Sequence, residues 1–144
     1  MFKTDIQKGD QNEKRVYPII NQVFETSFKK SDNPFDEFDF YCYKTKTMLE
    51  VKSICYTYGE KLEVMIGFNK IRYAIRRLEQ SWDVWLLFSL KDGDYLYNFT
   101  ELNLDWIRPY VGRSDRYNSK QTDYYWIPIT ELTKIEDEIR IVEI

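Results

Sequence analysis

The chain has 144 residues, 24 acidic against 21 basic side chains, a net charge of −3 and no histidine. Its length fits one domain with one core, residues 1 to 144. The acidic balance argues against a non-specific nucleic-acid coat, and the missing histidine excludes Ser-His-Asp and Cys-His catalysis and any His-bound metal. Two cysteines, Cys42 and Cys55, lack a C-x-x-C spacing, which speaks against zinc and for a reducing, cytoplasmic setting. The polar start MFKTDIQKGDQNEK predicts no signal peptide. No apolar run is long enough to span a membrane. No membrane partner and no small-molecule cofactor are expected, and any acid–base or metal chemistry falls to carboxylates, lysine or tyrosine. The 17% aromatic content suggests flat rings at a core edge or a binding surface.

In chain order, residues 10 to 28 place Val16, Ile19, Ile20, Val23 and Phe24 at helical spacing. Asp10 followed by Glu13 matches a capping box. Pro18 predicts a kink, or a regular helix that begins only there. A loop at Asn33-Pro34 leads to two β runs, Glu37 to Tyr43 and Thr47 to Tyr56. The short turn Lys44-Thr45-Lys46 pairs these as an antiparallel hairpin. LEVMIGF reads as a third strand or a helix start. Residues 69 to 80 predict a helix capped by Asn69, with Ile71, Ala74, Ile75 and Leu78 inward. DVWLLFSL reads as a strand buried on both faces, and Asp92-Gly93 turns it into a second hairpin with YLYNF. Residues 101 to 121 read as a long loop, DYYWIPI as a strand, Thr130 as the start of a short helix and IRIVEI as a closing strand. The fold class is α/β, a mixed central sheet flanked by helices.

Chemistry concentrates in DFYCYKTKTMLEVKS, residues 39 to 53. Alternation puts Glu50 and Lys52 on one face of their strand, and the hairpin brings Asp39 level with them. Two carboxylates so close hold their charges best around a cation. Oxygen-only ligands suit Mg²⁺ or Mn²⁺. Lys52 is placed to orient a water or to meet charge building on a phosphate. Asp36 is a rival for Asp39 in the opposite strand phase; Asp39 is preferred because apolar residues flank it.

The spacing Asp39-x10-Glu50-x-Lys52, with Gly9-x-x-x-Glu13 upstream, resembles the PD-(D/E)xK nuclease superfamily. The proline that often precedes the family's aspartate is absent. GRSDR followed by YYWIPI resembles the tail of small phage-type nucleases, which would act inside a host cell. The resemblance implies a restriction-endonuclease-like αβββαβ core and a metal-dependent DNA nuclease similar to Holliday junction resolvases. It further implies Mg²⁺ or Mn²⁺ held by Asp39, Glu50 and the Val51 carbonyl, and Lys52 as the residue that positions or activates water. It gives Glu13 a supporting role at the metal, DNA as partner and, for junction-resolving members, a homodimer.

Lys70, Arg72, Arg76 and Arg77 on the helix, and Arg113 and Arg116 in the long loop, are candidate phosphate contacts. Plainer roles compete: a solvated hairpin face for the E-x-K pair, a capping box for Glu13, and a solvated polar face for the helix cations. A binding module on the same fold without catalysis is the alternative function.

Overall fold

The computed structural model describes residues 5–32, 37–110 and 123–135. It is a mixed α/β fold with two helices, α1 (Asp5–Val23) and α2 (Phe68–Glu79). The main sheet holds β1 (Lys29–Lys30), β2 (Phe40–Cys42), β3 (Thr47–Ser53), β5 (Asp83–Leu90), β6 (Gly93–Phe99) and β9 (Thr133–Lys134), in the order β1-β2-β3-β5-β6-β9. A second sheet of three strands holds β4 (Glu63–Gly67), β8 (Asp123–Pro128) and β7 (Ile107–Pro109), in the order β4-β8-β7. All pairs in the main sheet are antiparallel except β3 with β5, which run parallel and are joined through β4 and α2.

Strand alternation splits the core into two layers. Leu49, Leu87 and Leu96 pack with Phe40 against Val16 and Ile20 of α1. Met48, Leu86 and Phe88 point the other way, onto Ile71 and Ala74 of α2 and onto Val64, Ile66 and Tyr125 of the second sheet. With a layer on each face, β5 is buried almost throughout, as its unbroken apolar run requires. Each large core side chain removed from water contributes roughly 1.5–3 kcal/mol.

Several expectations change. α1 begins at Asp5 and runs through Pro18 without ending, so the helix tolerates the bond that Pro18 cannot donate. Asp10 is therefore inside the helix and caps nothing. LEVMIGF is a strand, but it leaves the hairpin's sheet to pair with β8. The stretch 101 to 121 is not all loop, because a 3-10 turn at Leu104–Trp106 and β7 lie within it. Asn103 caps that turn by accepting from the Asp105 N–H at 3.0 Å. The short helix expected from Thr130 is a single 3-10 turn, Ile129–Glu131, followed by β9. IRIVEI, Asp36, Arg113 and Arg116 lie outside the described residues. Cys42 and Cys55 are free thiols. Among the described residues, no helix is long and apolar enough to cross a membrane.

Candidate metal centre

The hairpin expected from the sequence forms, in shorter strands. Phe40 pairs Leu49 and Cys42 pairs Thr47, so the next step outward sets Asp39 against Glu50. The ladder stops there for two reasons. The Asp39 carboxylate takes the Val51 N–H at 2.8 Å, where a backbone carbonyl would stand in a continuing strand. The Phe38 N–H is spent on the Tyr41 hydroxyl, also at 2.8 Å. The Asp39 carbonyl in turn accepts from the Ser31 N–H at 2.8 Å, which ties it to the edge beside β1. The N–H and C=O of one strand residue point to the same side. The Val51 carbonyl thus faces the edge that Asp39 occupies.

Glu50 projects from the middle of β3 toward α2 and is 7% exposed. Its Oε2 lies 2.9 Å from Lys70 Nζ, and Lys70 also donates to the Glu37 carbonyl at 2.8 Å. Its other oxygen, Oε1, is buried with no hydrogen-bond partner. A buried acceptor left unpaired costs on the order of 1–3 kcal/mol, more when charged. Glu13 reaches the same place from α1, with Oε2 3.0 Å from Lys30 Nζ.

Asp39 stands between Glu13 and Glu50, within hydrogen-bonding reach of both. Burial, and then the Glu50 charge, push the Asp39 carboxyl up to about 7, against the opposing pull of Glu13 and the Val51 N–H. Burial, and then Asp39, push the Glu13 carboxyl up to about 7 as well, against Lys30. Two carboxyls, Glu13 and Asp39, thus titrate near neutral pH beside Glu50. Among the described residues no three acidic or thiol side chains form a ready ion cage. The residues nonetheless fit a hard divalent cation: the donors are all oxygen, one buried oxygen lacks a partner, and burial and mutual repulsion raise the Glu13 and Asp39 carboxyls. Asp39, Glu50 and the Val51 carbonyl would hold it, with Glu13 beside them.

Lys52 lies on the Glu50 face of β3, two residues on, and is exposed. Of the four helix cations, Lys70 is spent on Glu50. Arg77 is bound to Glu37 at 3.0 Å and lies over the Trp82 ring. Arg72 and Arg76 are exposed and rest on Phe68 and Tyr73. Sequence reasoning missed Lys30 and Glu37 as neighbours of the cluster and did not pair Lys70 with Glu50. Strand phase carried a signal for Glu37, which lies two residues before Asp39. Nothing local marks a lysine on a separate helix as the partner of Glu50.

No family model matches the chain, and no curated protein matches it significantly.

Proposed function

We propose that this protein is a divalent-metal-dependent deoxyribonuclease of the PD-(D/E)xK type, which hydrolyses DNA phosphodiester bonds at the Glu13–Asp39–Glu50 cluster. The observation that carries this reading is the buried, unpartnered Glu50 Oε1 beside two carboxyls whose proton affinities are raised to about 7. Such a cluster destabilises the fold unless a cation completes it. The element order supports the reading too: α1, β1, β2, β3, α2 and β5 follow the αβββαβ succession once β4 is set aside as an excursion into the second sheet.

Bound Mg²⁺ or Mn²⁺ would lower the pKa of a coordinated water and polarise a phosphoryl oxygen. The chain's own residues do the rest. Asp39 is fixed by the Val51 N–H, so its carboxylate needs little reorganisation. Glu13, beside the residues that would hold the metal and raised to about 7, can take up a proton released during hydrolysis. Lys52 has an exposed ammonium on the Glu50 face, free to approach a phosphate entering from solvent. Arg72 and Arg76 offer exposed cations for the DNA backbone.

The test is cleavage of linear and branched DNA with Mg²⁺ by wild type, Glu50→Gln and Lys52→Ala. Loss of cleavage in both variants is expected, and equal cleavage by all three sinks the assignment. A second reading has its own observation: Lys70 and Lys30 already neutralise Glu50 and Glu13. In that case the chain binds DNA without cutting it, its affinity falls steeply with salt, and Mn²⁺ has no effect.

A further inference from the structure

Tyr43, in the β2–β3 turn, is the most exposed aromatic ring among the described residues, at 68%. It is not a loose side chain. One face lies parallel to Tyr41, with centroids 5.9 Å apart and an interplanar angle of 12°. Trp82 stands edge-on to both rings, at 5.6 Å from Tyr43 and 6.2 Å from Tyr41. Tyr41 and Trp82 are themselves buried, and the Arg77 guanidinium lies 5.1 Å over Trp82. An exposed ring is thus mounted on a buried aromatic base, with most of its own surface open to solvent. Ordering such a ring in advance lowers the entropic cost of stacking on it.

The charges around it are mainly cationic. Lys44 and Lys46 are exposed in the same turn, and Lys46 Nζ reaches the Gln80 carbonyl at the end of α2, at 3.5 Å. Arg77 lies one ring away. The nearby carboxylate Asp83 is engaged by the Trp85 indole at 2.8 Å. Two rulers place the ring relative to the carboxyl cluster. Asp39 lies just before β2 and Tyr43 just after it, four steps along the chain, ~13 Å in a strand. Seven residues of α2 separate Lys70, at the cluster, from Arg77, below the ring, ~10 Å in a helix. At ~3.4 Å per stacked nucleotide, both correspond to about three to four nucleotides.

We infer that Tyr43 is a stacking platform for an unpaired base of the DNA strand, three to four nucleotides from the carboxyl cluster, with Lys44 and Lys46 on the flanking phosphates. This rests on the nuclease reading for its substrate. It narrows that substrate to DNA with unpaired nucleotides beside the reacting bond, since a base inside a duplex offers no free face.

The experiment is binding of fluorescent dT20 and of a blunt duplex in EDTA, where cleavage plays no part. Tyr43→Ala is expected to weaken dT20 binding roughly 5- to 100-fold, with duplex affinity unchanged and Tyr43→Phe equal to wild type. The double variant Lys44→Gln/Lys46→Gln is expected to flatten the log–log salt slope by about 1.4. Unchanged dT20 affinity in Tyr43→Ala overturns the inference, as does an equal loss for the duplex or no dT20 binding by wild type. A change of oligomeric state in Tyr43→Ala by light scattering, without a loss of dT20 affinity, overturns it in favour of a subunit contact. Intact Tyr43-dependent binding with no cleavage in Mg²⁺ would instead remove the nuclease reading and leave the platform.

Discussion

Asp39→Asn isolates the electrostatics of the cluster. The Asp39 carboxyl is raised from 3.8 to about 7, first by burial and then by Glu50. Below pH ~4 the folded and unfolded chains both hold this proton. As pH climbs from ~4 to ~7 the unfolded chain releases it while the folded chain keeps it, so stability falls across this window and levels off above it. At ~1.4 kcal/mol per pKa unit, about three units correspond to on the order of 4 kcal/mol lost. Asparagine mimics the protonated acid and can still accept from the Val51 N–H. The variant is therefore expected to exceed wild type by only ~1 kcal/mol near pH 4.5 and by roughly 3–4 kcal/mol near pH 8. Urea unfolding in EDTA, followed by tryptophan fluorescence at the two pH values, measures this. Glu13 is raised in the same direction, so the variant retains a shallower slope of the same sign. A wild-type stability that is flat or rises between pH 4.5 and 8, or a variant with the full wild-type slope, refutes the reasoning.

Three further outcomes follow from the same geometry. Lys70→Met leaves the buried Glu50 carboxylate without its ammonium partner, and is expected to cost roughly 3–5 kcal/mol by urea unfolding; adding Glu50→Gln should recover most of it. Lys52→Ala, at an exposed position, should change stability by less than ~0.5 kcal/mol while lowering the Mg²⁺-dependent cleavage rate by about 10²-fold or more. Mn²⁺ must displace protons from Glu13 and Asp39, so its affinity by calorimetry should rise from pH 6 to pH 8, with proton release detected by buffers of different ionisation heat.

What the sequence made legible was local. Alternation put Glu50 and Lys52 on one face and the hairpin brought Asp39 level with residues 50 to 52; the register Phe40 to Leu49 agrees. The inner face of α2 at Ile71 and Ala74, and the central place of β5, follow equally from apolar spacing. What stayed hidden depends on contacts distant along the chain. Asp10 and Glu13 fit a local capping pattern, but the helix starts a turn and more earlier, so Glu13 is carried to Lys30 and Asp39 instead. The strand ahead of the hairpin is the two-residue β1, too short to show any pattern. β4 looks like a sheet neighbour of β3 until β8, 63 residues on by the register of Ile127 with Val64, claims it. The sequence suggests Lys70 as a phosphate contact beside the metal site, and nothing in NKIRYAIRRLEQ shows that its ammonium is paired with Glu50 at 2.9 Å.

The claim that this cluster is a cation site is tested most directly by anomalous scattering from a crystal soaked in Mn²⁺. The account predicts a peak bound by Asp39 and Glu50, with Glu50 Oε1 as a ligand. A fully soaked crystal with no peak there, Lys70 still on Glu50 and Oε1 still without a partner, would contradict it.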